Sequence, residues 1–249
     1  MNKIINPIII LVQPQLGENI GATARAMLNC GLKSLRIVNP RDGWPNSKAV
    51  RASSGAESII YNAGIYSSTL EALSDLNYII ACTSRNRDLR KKQLDLDDAF
   101  NHYSDNQINI DQWGIMFGNE SSGLKNDDLD YADLLLSIPS NRIFTSFNLS
   151  HAVLIVSFHW MKRFGELSFN YKNIQIDRDN LLANKSDLSG FFSQLENDLE
   201  KGGFLFPPEK APKMIKNLRS IFLRSTLNKQ EVNTLRGVIN ALKRAGKSL

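Results

Sequence analysis

Three short segments of the sequence combine glycines with polar side chains of the kinds that bind small ligands. They span residues 14–27, 117–124 and 138–150. Each begins where an apolar run ends, and the ligand sites of open α/β sheets gather at the carboxyl ends of the strands. We therefore expect the three segments to contribute to one ligand site.

Each segment taken singly also has a plain structural explanation. In the first, Gly21, Arg25 and Asn29 share one helical stripe at i, i+4 spacing, yet an Arg on a well-capped helix is often only a surface residue. The second and third segments both fit a tight turn or a capped helix start. The sequence has no Walker A loop, and no GxGxxG follows the first strand, which disfavours an ordinary nucleotide-binding α/β enzyme.

Apolar strands that alternate with helices would position these segments. Five short apolar runs predict strands buried on both faces, at residues 8–12, 35–38, 78–82, 113–117 and 134–138. Helical signals cover residues 19–29, 47–63, 67–75, 123–132 and 149–161. Asn19 suits the N-cap of the first helix and Gly31 its C-terminal stop. The alternation predicts an α/β fold with a mostly parallel sheet covered by helices.

The chain of 249 residues has room for one sizeable core and a small second unit. The alternation ends after Phe164, and apolar residues at helical spacing return between Met214 and Leu242. We therefore predict a catalytic domain over residues 1–165, a linker over residues 166–187 and a helical extension over residues 188–249.

Positive charge is concentrated near the end of the chain. Residues 202–249 contain ten Lys or Arg against two acids, a balance of +8, whereas the other 201 residues balance at −3. Clustered cations gain free energy when they release counterions from nucleic acid, so this part can serve as a phosphate-binding surface. An ordinary solvated helical face explains the same charges, and the apolar stripe beside them can instead pack a dimer. These accounts stay open.

The apolar run from Pro7 to Val12 is too short to span a bilayer and lacks the features of a signal peptide. Cys30 and Cys82 lie far apart and form no CxxC pair, which favours small buried thiols over a disulfide or a zinc site. We expect a cytoplasmic protein without membrane association.

In this order and spacing, the three segments resemble the motifs of the SPOUT RNA methyltransferases, in the branch of the TrmH and TrmJ enzymes, and the TrmJ enzymes most. The first motif is matched by Asn19, Gly21, Arg25, Gly31 and Leu32, the second by Phe117, Gly118, Glu120, Gly123 and Leu124, and the third by Ile138, Pro139, Ser146 and Asn148. Phe147 stands where the family usually has Leu. Residues 218–224 and 231–237 look like the C-terminal extension of the TrmJ proteins, so the resemblance covers nearly the whole chain.

The resemblance implies a deep trefoil knot in the C-terminal part of the sheet domain, a homodimer, and S-adenosylmethionine as cofactor without a metal. It also implies that main-chain groups of the knot loops hold the cofactor. By motif position the contacts fall on Thr83, Ser84, Arg85, Gly118, Ile138, Thr145, Ser146 and Phe147.

The resemblance further implies 2'-O-methylation of a ribose in tRNA, at nucleotide 32 of the anticodon loop. Such a reaction must align oxygen, methyl and sulfur and favour alkoxide character. Arg25 is the leading catalytic residue, because its permanent charge and planar fork can grip a phosphate; it would enter the site from one protomer while the other supplies the cofactor. The rest of the predicted catalytic set orients loops and substrate: Asn19, Glu120, Ser146 and Asn148. The proton acceptor stays open between the bound phosphate, a water and a neutral side chain.

Two other functions stay open. One is the same reaction at another tRNA or rRNA position, and the other is an RNA-binding protein that kept the fold but lost catalysis. The intact motif residues argue against the loss of catalysis. His102, His151 and His159 suit structural or surface roles better than the role of a general base.

Overall fold

The computed structural model describes residues 5–84, 91–106, 110–165 and 181–245. The strands are β1 (Ile8–Val12), β2 (Leu35–Val38), β3 (Gly64–Tyr66), β4 (Tyr78–Cys82), β5 (Gln93–Leu94), β6 (Trp113–Phe117) and β7 (Leu134–Leu136). The helices are α1 (Gly17–Asn29), α2 (Ser47–Ser53), α3 (Glu57–Tyr61), α4 (Thr69–Leu73), α5 (Leu96–Asn106), α6 (Asn126–Leu129), α7 (Leu149–Phe164), α8 (Lys185–Lys201), α9 (Ala211–Arg224) and α10 (Lys229–Ala245).

The seven strands form one sheet in the order β3-β2-β1-β6-β4-β7-β5. Every neighbouring pair is parallel, which confirms the predicted α/β fold and its parallel sheet. Because β1, β6, β4 and β7 are neighbours with one direction, their carboxyl ends lie side by side at one edge. The trefoil knot stays a prediction of the resemblance.

Helices cover both faces of the sheet. One face packs against α1, α2, α3, α5 and α7, and the other against α4 and α6. An aromatic cluster binds α5 and α7 to β6: the ring centroids of Tyr103 and Trp113 are 4.1 Å apart, and those of Trp113 and Trp160 are 5.1 Å apart. Such aromatic pairs fix α7, the helix that follows the third motif, against the sheet.

The first helix differs from its prediction at the start. It begins at Gly17, its N-cap position is Leu16, and Asn19 lies buried within its first turn, so the predicted N-cap role of Asn19 is wrong. The predicted stop is confirmed, since the helix ends at Asn29 and Gly31 adopts a φ of +76°. At Gly21 the helix touches α2 so closely that a Cβ would lie 2.3 Å from the carbonyl oxygen of Ala49.

The helix predicted over residues 47–63 is two helices. The chain turns between α2 and α3, where Ser54 and Gly55 have φ values of 43° and 97°. The sequence also missed β3, β5 and α5. Both missed strands are only three and two residues long and lie at the two edges of the sheet.

The C-terminal part folds around a small core of its own. Leu188, Phe191 and Phe192 of α8 pack with Val232 of α10 and with partly buried residues of α9. The helix α8 begins at Lys185, and residues 166–180 of the predicted linker lie outside the described residues. No helix in the described ranges is long and apolar enough to cross a bilayer.

Candidate active site

A cleft of about 340 Å³ lies at the carboxyl ends of β4, β6 and β7. Its walls come from the loops after these strands and from the start of α7. The lining residues are Cys82, Thr83, Ser84, Phe117, Gly118, Asn119, Glu120, Ser121, Ser122, Gly123, Leu124, Ile138, Thr145, Ser146, Phe147, Leu149 and Ala152. Seven of the eight residues predicted to contact a cofactor are among them, and the eighth, Arg85, lies outside the described residues.

The loop after β6 is held in a tight turn by Asn119. Its side-chain oxygen accepts hydrogen bonds from the backbone nitrogens of Ser121 (3.1 Å) and Ser122 (2.7 Å) and from both hydroxyls. A Cβ on Gly118 would lie 2.1 Å from the backbone of Gly123, so only glycine allows the loop to close this way. The turn presents main-chain groups, rather than long side chains, to the cleft.

Glu120 joins this turn to the loop that precedes α1. Its carboxylate accepts hydrogen bonds from the backbone nitrogens of Gln15 (2.8 Å) and Leu16 (3.2 Å) and from the side-chain nitrogen of Asn19 (2.7 Å). A carboxylate is well suited to this place, because it only accepts hydrogen bonds and charge-assisted bonds are the stronger ones. The carboxylate also lies beside the first turn of α1, where the helix dipole favours negative charge.

Asn148 brings the third segment into the same network. Its side-chain nitrogen donates to the side-chain oxygen of Asn19 at 3.1 Å. Its own oxygen accepts from the backbone nitrogen of Ser150 at 3.0 Å and from the Ser150 hydroxyl, which caps α7. One chain of hydrogen bonds, Glu120 to Asn19 to Asn148, therefore connects all three segments, and Asn19 is its central member.

The other two predicted catalytic residues are placed differently. Ser146 lines the cleft. Arg25 is exposed on α1 and does not line the cleft of its own chain. Its guanidinium forms no hydrogen bond or ion pair with any described residue. Of the predicted catalytic set, the structure brings Asn19, Glu120 and Asn148 together and places Ser146 in the lining of the cleft, whereas Arg25 lies on an exposed surface.

The helix that carries Arg25 and the helix α7 both expose large apolar side chains. Leu28 lies one turn further along α1 and is 38% exposed. The helix α7 packs beside α1, and its own outer stripe carries Leu154 and Phe158, which are 40% and 53% exposed. Apolar side chains grouped in this way on two adjacent helices are typical of a surface that another protein covers.

The lining of the cleft contains one charged residue, Glu120, and no Lys or Arg among the described residues. Burial raises the pKa of the Cys82 thiol to about 12, so this cysteine stays neutral at physiological pH. Both cysteines are free thiols. No group of three or more His, Cys, Asp or Glu converges as a metal site within the described ranges.

The histidines take part in contacts away from the cleft lining. His102 hydrogen bonds through Nδ1 to the hydroxyl of Tyr78 at 2.9 Å, and burial lowers the pKa of this histidine. His159 stacks on Phe100 and contacts Asp97 at 2.9 Å. His151 is exposed on α7.

Sequence reasoning missed Gln15 and Asn119. Gln15 binds Glu120 through its backbone and donates from its side chain to the hydroxyl of Ser121 at 3.0 Å. Asn119 organises the turn after β6. An Asn two residues before a serine, as Asn119 is before Ser121, is a turn signal that the sequence does carry. The partners of Gln15 lie more than a hundred residues away and leave no local pattern.

The chain matches two family descriptions that together span most of its length. The SpoU rRNA Methylase family profile matches residues 6–158, and the profile of the tRNA methyltransferase TrmJ, C-terminal domain, matches residues 186–248. Both descriptions agree with the resemblance found from the motifs.

Individual relatives are similar over nearly their full length. A tRNA (cytidine/uridine/adenosine-2'-O-)-methyltransferase TrmJ from Pseudomonas aeruginosa is 30% identical, covering 97% of this chain and 95% of its own. A tRNA (cytidine/uridine-2'-O-)-methyltransferase TrmJ from Photorhabdus laumondii is 34% identical, covering 96% and 97%. The crystal structure of TrmJ from Z. mobilis ZM4 superposes with a TM-score of 0.83 at 37% identity, covering 96% of this chain and 99% of that one.

The network at Asn19 predicts a pH-dependent defect in the variant Asn19→Asp. The change replaces the donor 2.7 Å from Glu120 with a second carboxylate, which should cost about 2 kcal/mol or more of unfolding free energy at neutral pH. Repulsion raises a carboxyl pKa in the folded state, so the loss should shrink as the pH falls through that raised pKa and the shared proton restores a hydrogen bond. Urea unfolding at pH 8 and at pH 5, monitored by circular dichroism, measures the loss of unfolding free energy and its dependence on pH.

The control is Asn29→Asp, which adds the same charge at an exposed position near the end of the same helix. It should change the unfolding free energy by no more than about 1 kcal/mol. Equal losses in the two variants, or a loss at Asn19 that is the same at both pH values, would contradict the role given to this network.

Proposed function

The chain belongs to the SpoU rRNA Methylase family, and on this premise we propose that it transfers a methyl group from S-adenosylmethionine to a ribose 2'-hydroxyl of tRNA. The observation that carries the proposal is the match of the chain to TrmJ enzymes over nearly its whole length. Residues of the second and third motifs line one cleft, and Asn19 of the first motif hydrogen bonds to Glu120 in its wall. We place the target at nucleotide 32 of the anticodon loop, on the resemblance to the TrmJ enzymes, and the protein in the cytoplasm.

The cleft suits S-adenosylmethionine in size and in charge. Its volume falls within the ordinary range of small-molecule sites, about 300 to 1,000 Å³. Phe117, Leu124 and Ile138 offer apolar surface, and the turn after β6 offers main-chain donors and acceptors. When bound, this cofactor supplies an electrophilic methyl group on a positively charged sulfur. A wall with one carboxylate and no described cation does not repel that charge.

The assigned cofactor contacts are the residues that line this cleft: Thr83, Ser84, Gly118, Ile138, Thr145, Ser146 and Phe147. Arg85 is kept as a further contact on the resemblance alone. Glu120, Asn19 and Asn148 act as positioning residues, because their hydrogen bonds hold the three loops in one arrangement. A loop held in advance loses little entropy when the ligand binds.

Arg25 is the residue we assign to the reacting hydroxyl, in a homodimer. It does not line the cleft of its own chain, and it lies on α1, which carries the exposed Leu28 and packs against α7 with the exposed Leu154 and Phe158. If this apolar surface meets a second copy, Arg25 of one protomer can reach the cleft of the other. There its guanidinium can hold an RNA phosphate in a bidentate manner and stabilise negative charge that develops on the hydroxyl oxygen. The proton leaves to the bound phosphate, a water or a neutral side chain.

The helical extension supplies part of the RNA-binding surface in this proposal. Several of its cations already have partners: Arg219 pairs with Glu196 at 2.6 Å, Lys243 with Asp198 at 2.7 Å and Lys216 with Asp130 at 3.9 Å. The ammonium groups of Lys210, Lys213 and Lys229 are exposed and pair with no described residue. We assign these three to phosphate contacts. Exposed Ile221, Val238 and Leu242 support the alternative that part of this surface packs against protein.

We expect the purified protein to methylate tRNA with S-adenosylmethionine and without added metal. Mass spectrometry of nucleosides and of digestion fragments should show one 2'-O-methylated ribose at nucleotide 32. Activity should survive EDTA, because the proposed mechanism gives no role to a metal ion. A base-methylated product would refute the reaction, a ribose product elsewhere in tRNA or rRNA would refute only the position, and loss of activity in EDTA would refute the metal-free mechanism.

Arg25→Ala should lower the single-turnover rate by on the order of 10² to 10³ fold, the usual cost of removing one group that stabilises developing charge. Arg25→Lys should recover part of the rate, since it keeps the charge and loses the planar fork. Calorimetry should show unchanged cofactor affinity, and light scattering an unchanged oligomeric state. Arg51→Ala, which removes an exposed Arg from the neighbouring helix, is the control. A near-normal rate in Arg25→Ala would end its catalytic assignment.

Reversing the three unpaired cations, as Lys210→Glu, Lys213→Glu and Lys229→Glu together, should weaken tRNA binding without loss of fold or dimer. The slope of log affinity against log salt should flatten by roughly 0.7 to 0.9 for each phosphate contact that is lost. The matched control changes the same three lysines to Arg and should leave both quantities unchanged. If tRNA affinity and salt slope do not move in the Glu variant, the extension acts in packing rather than in RNA binding.

A further inference from the structure

A buried ion pair joins the helical extension to the sheet domain, away from the cleft. Lys185, the first residue of α8, is only 3% exposed. Its ammonium lies 2.8 Å and 2.6 Å from the two carboxylate oxygens of Asp133, the residue before β7. The same carboxylate also accepts a hydrogen bond from the backbone nitrogen of Ile79 in β4 at 2.7 Å. The ammonium of Lys185 in the extension therefore binds a carboxylate that is itself hydrogen bonded to the sheet.

The main chain around Lys185 docks at the same place. The backbone nitrogen of Lys185 donates to the carbonyl of Leu76 at 2.9 Å, and that of Ser186 donates to the carbonyl of Ser74 at 3.2 Å. These two nitrogens belong to the first turn of α8, whose amide groups have no partner within the helix. The helix start is thus bonded to the sheet domain through its backbone and its side chain together.

A second lysine stiffens the segment that carries Asp133. The ammonium of Lys91 donates to the carbonyls of Leu129 (2.7 Å), Asp130 (2.9 Å) and Ala132 (2.6 Å). These contacts satisfy all three protons of the ammonium, and Lys91 itself lies on the connection between the cleft strand β4 and β5. Burial lowers the pKa of Lys91 to about 8, while the nearby Asp133 opposes that shift.

The contact between the two parts beside this ion pair contains polar and apolar side chains and is not completely filled. A cavity of about 100 Å³ lies beside the ion pair and is lined partly by Asp130, Tyr131 and Arg219. A weaker pair, Lys216 with Asp130 at 3.9 Å, lies in the same region. Apolar packing alone would leave the extension free to shift, because contacts of this kind allow relative motion.

Energetics indicates that the Lys185 and Asp133 pair sets orientation rather than adding stability. A buried pair gains little over two well-packed apolar residues, because both charges lose their hydration. Removing one partner is costly, since it leaves the other charge buried without compensation. The pair therefore favours one docked position over all others in which either charge would be unpaired.

We propose that Lys185 is a positioning residue that locks the extension in one orientation on the sheet domain, so that the extension and the cleft engage the same tRNA molecule. The inference rests on the proposed function for its substrate. When two RNA-binding surfaces are held at the spacing that the RNA requires, binding of the first places the second close to its own RNA contact. If the two surfaces can move relative to one another, the effective concentration of the second surface near the RNA falls, and the overall affinity for tRNA falls with it.

Lys185→Met tests this lock with two kinds of measurement. Hydrogen exchange should become faster for the amides of residues 185 and 186 but not for the helix core at residues 191–199. The KM for tRNA and the dissociation constant of tRNA should rise by about 10-fold or more, whereas kcat at saturating tRNA and the cofactor affinity should change by less than about twofold. A merely structural lysine would not produce this division between KM and kcat.

Two further variants keep the result interpretable. The double variant Asp133→Asn, Lys185→Gln replaces the two charges with a neutral hydrogen-bonded pair, in which the side-chain oxygen at position 133 can still accept from the backbone nitrogen of Ile79. This variant should restore slow hydrogen exchange at residues 185 and 186 and most of the affinity for tRNA. Lys229→Met removes an exposed cation of the extension and should leave hydrogen exchange at residues 185 and 186 unchanged. It therefore distinguishes the effect of losing one positive charge from the effect of losing the fixed orientation of the extension.

Each outcome decides the question. If hydrogen exchange at residues 185 and 186 is unchanged in Lys185→Met, Lys185 does not fix the orientation of the extension. If exchange is faster but the affinity for tRNA is unchanged, the fixed orientation has no role in RNA binding. A joint fall of kcat, cofactor affinity and tRNA affinity shows general damage and also overturns the proposal. If the wild-type protein methylates no tRNA, the proposed function fails, while hydrogen exchange and the tRNA dissociation constant still decide on the lock.

Discussion

The candidate active site depends on the carboxylate of Glu120 and the three donors that converge on it. Loops that leave three strands expose backbone groups, and a loop holds its shape only where these groups find partners. Glu120 accepts from two backbone nitrogens before α1 and from Asn19, and Asn19 accepts in turn from Asn148. Loss of Asn19, the buried central member, therefore removes one hydrogen bond from the partly buried Glu120 and one from Asn148, in loops distant in sequence.

The sheet order makes this convergence possible. The strands β1, β6 and β4 are adjacent and parallel, so the loops that follow them emerge side by side. The helix α7 then determines where the third segment lies, because its inner face is tied to β6 by the stacked and edge-on rings of Tyr103, Trp113 and Trp160. Close packing of these rings holds α7 against the sheet, and α7 begins directly after Asn148 of the third segment.

The sequence predicted those features that leave a local or periodic signal. Five apolar strands were found because burial on both faces imposes a continuous apolar run, as in β7, whose three leucines are all buried. The missed strands β3 and β5 contain no fully buried residue and so lack such a run. Asn19 was wrongly made an N-cap, since a capping residue and a buried hydrogen-bonding residue look alike until Glu120 is brought beside it. The partnership of Lys185 with Asp133 spans 52 residues and has no signature in either neighbourhood.

In the proposed mechanism, the charge that the cleft must accept explains why Arg25 would come from a second protomer. A cation fixed in the wall would repel a sulfonium and weaken cofactor binding, yet the developing alkoxide needs positive potential. The described part of the cleft has no cation in its wall, and Arg25 is exposed on α1, one turn before the exposed Leu28. An arginine supplied by a second protomer and engaged by an RNA phosphate meets both requirements, because the bound phosphate offsets its charge as the substrate arrives. The dimer and the RNA would then complete a site that one chain leaves unfinished.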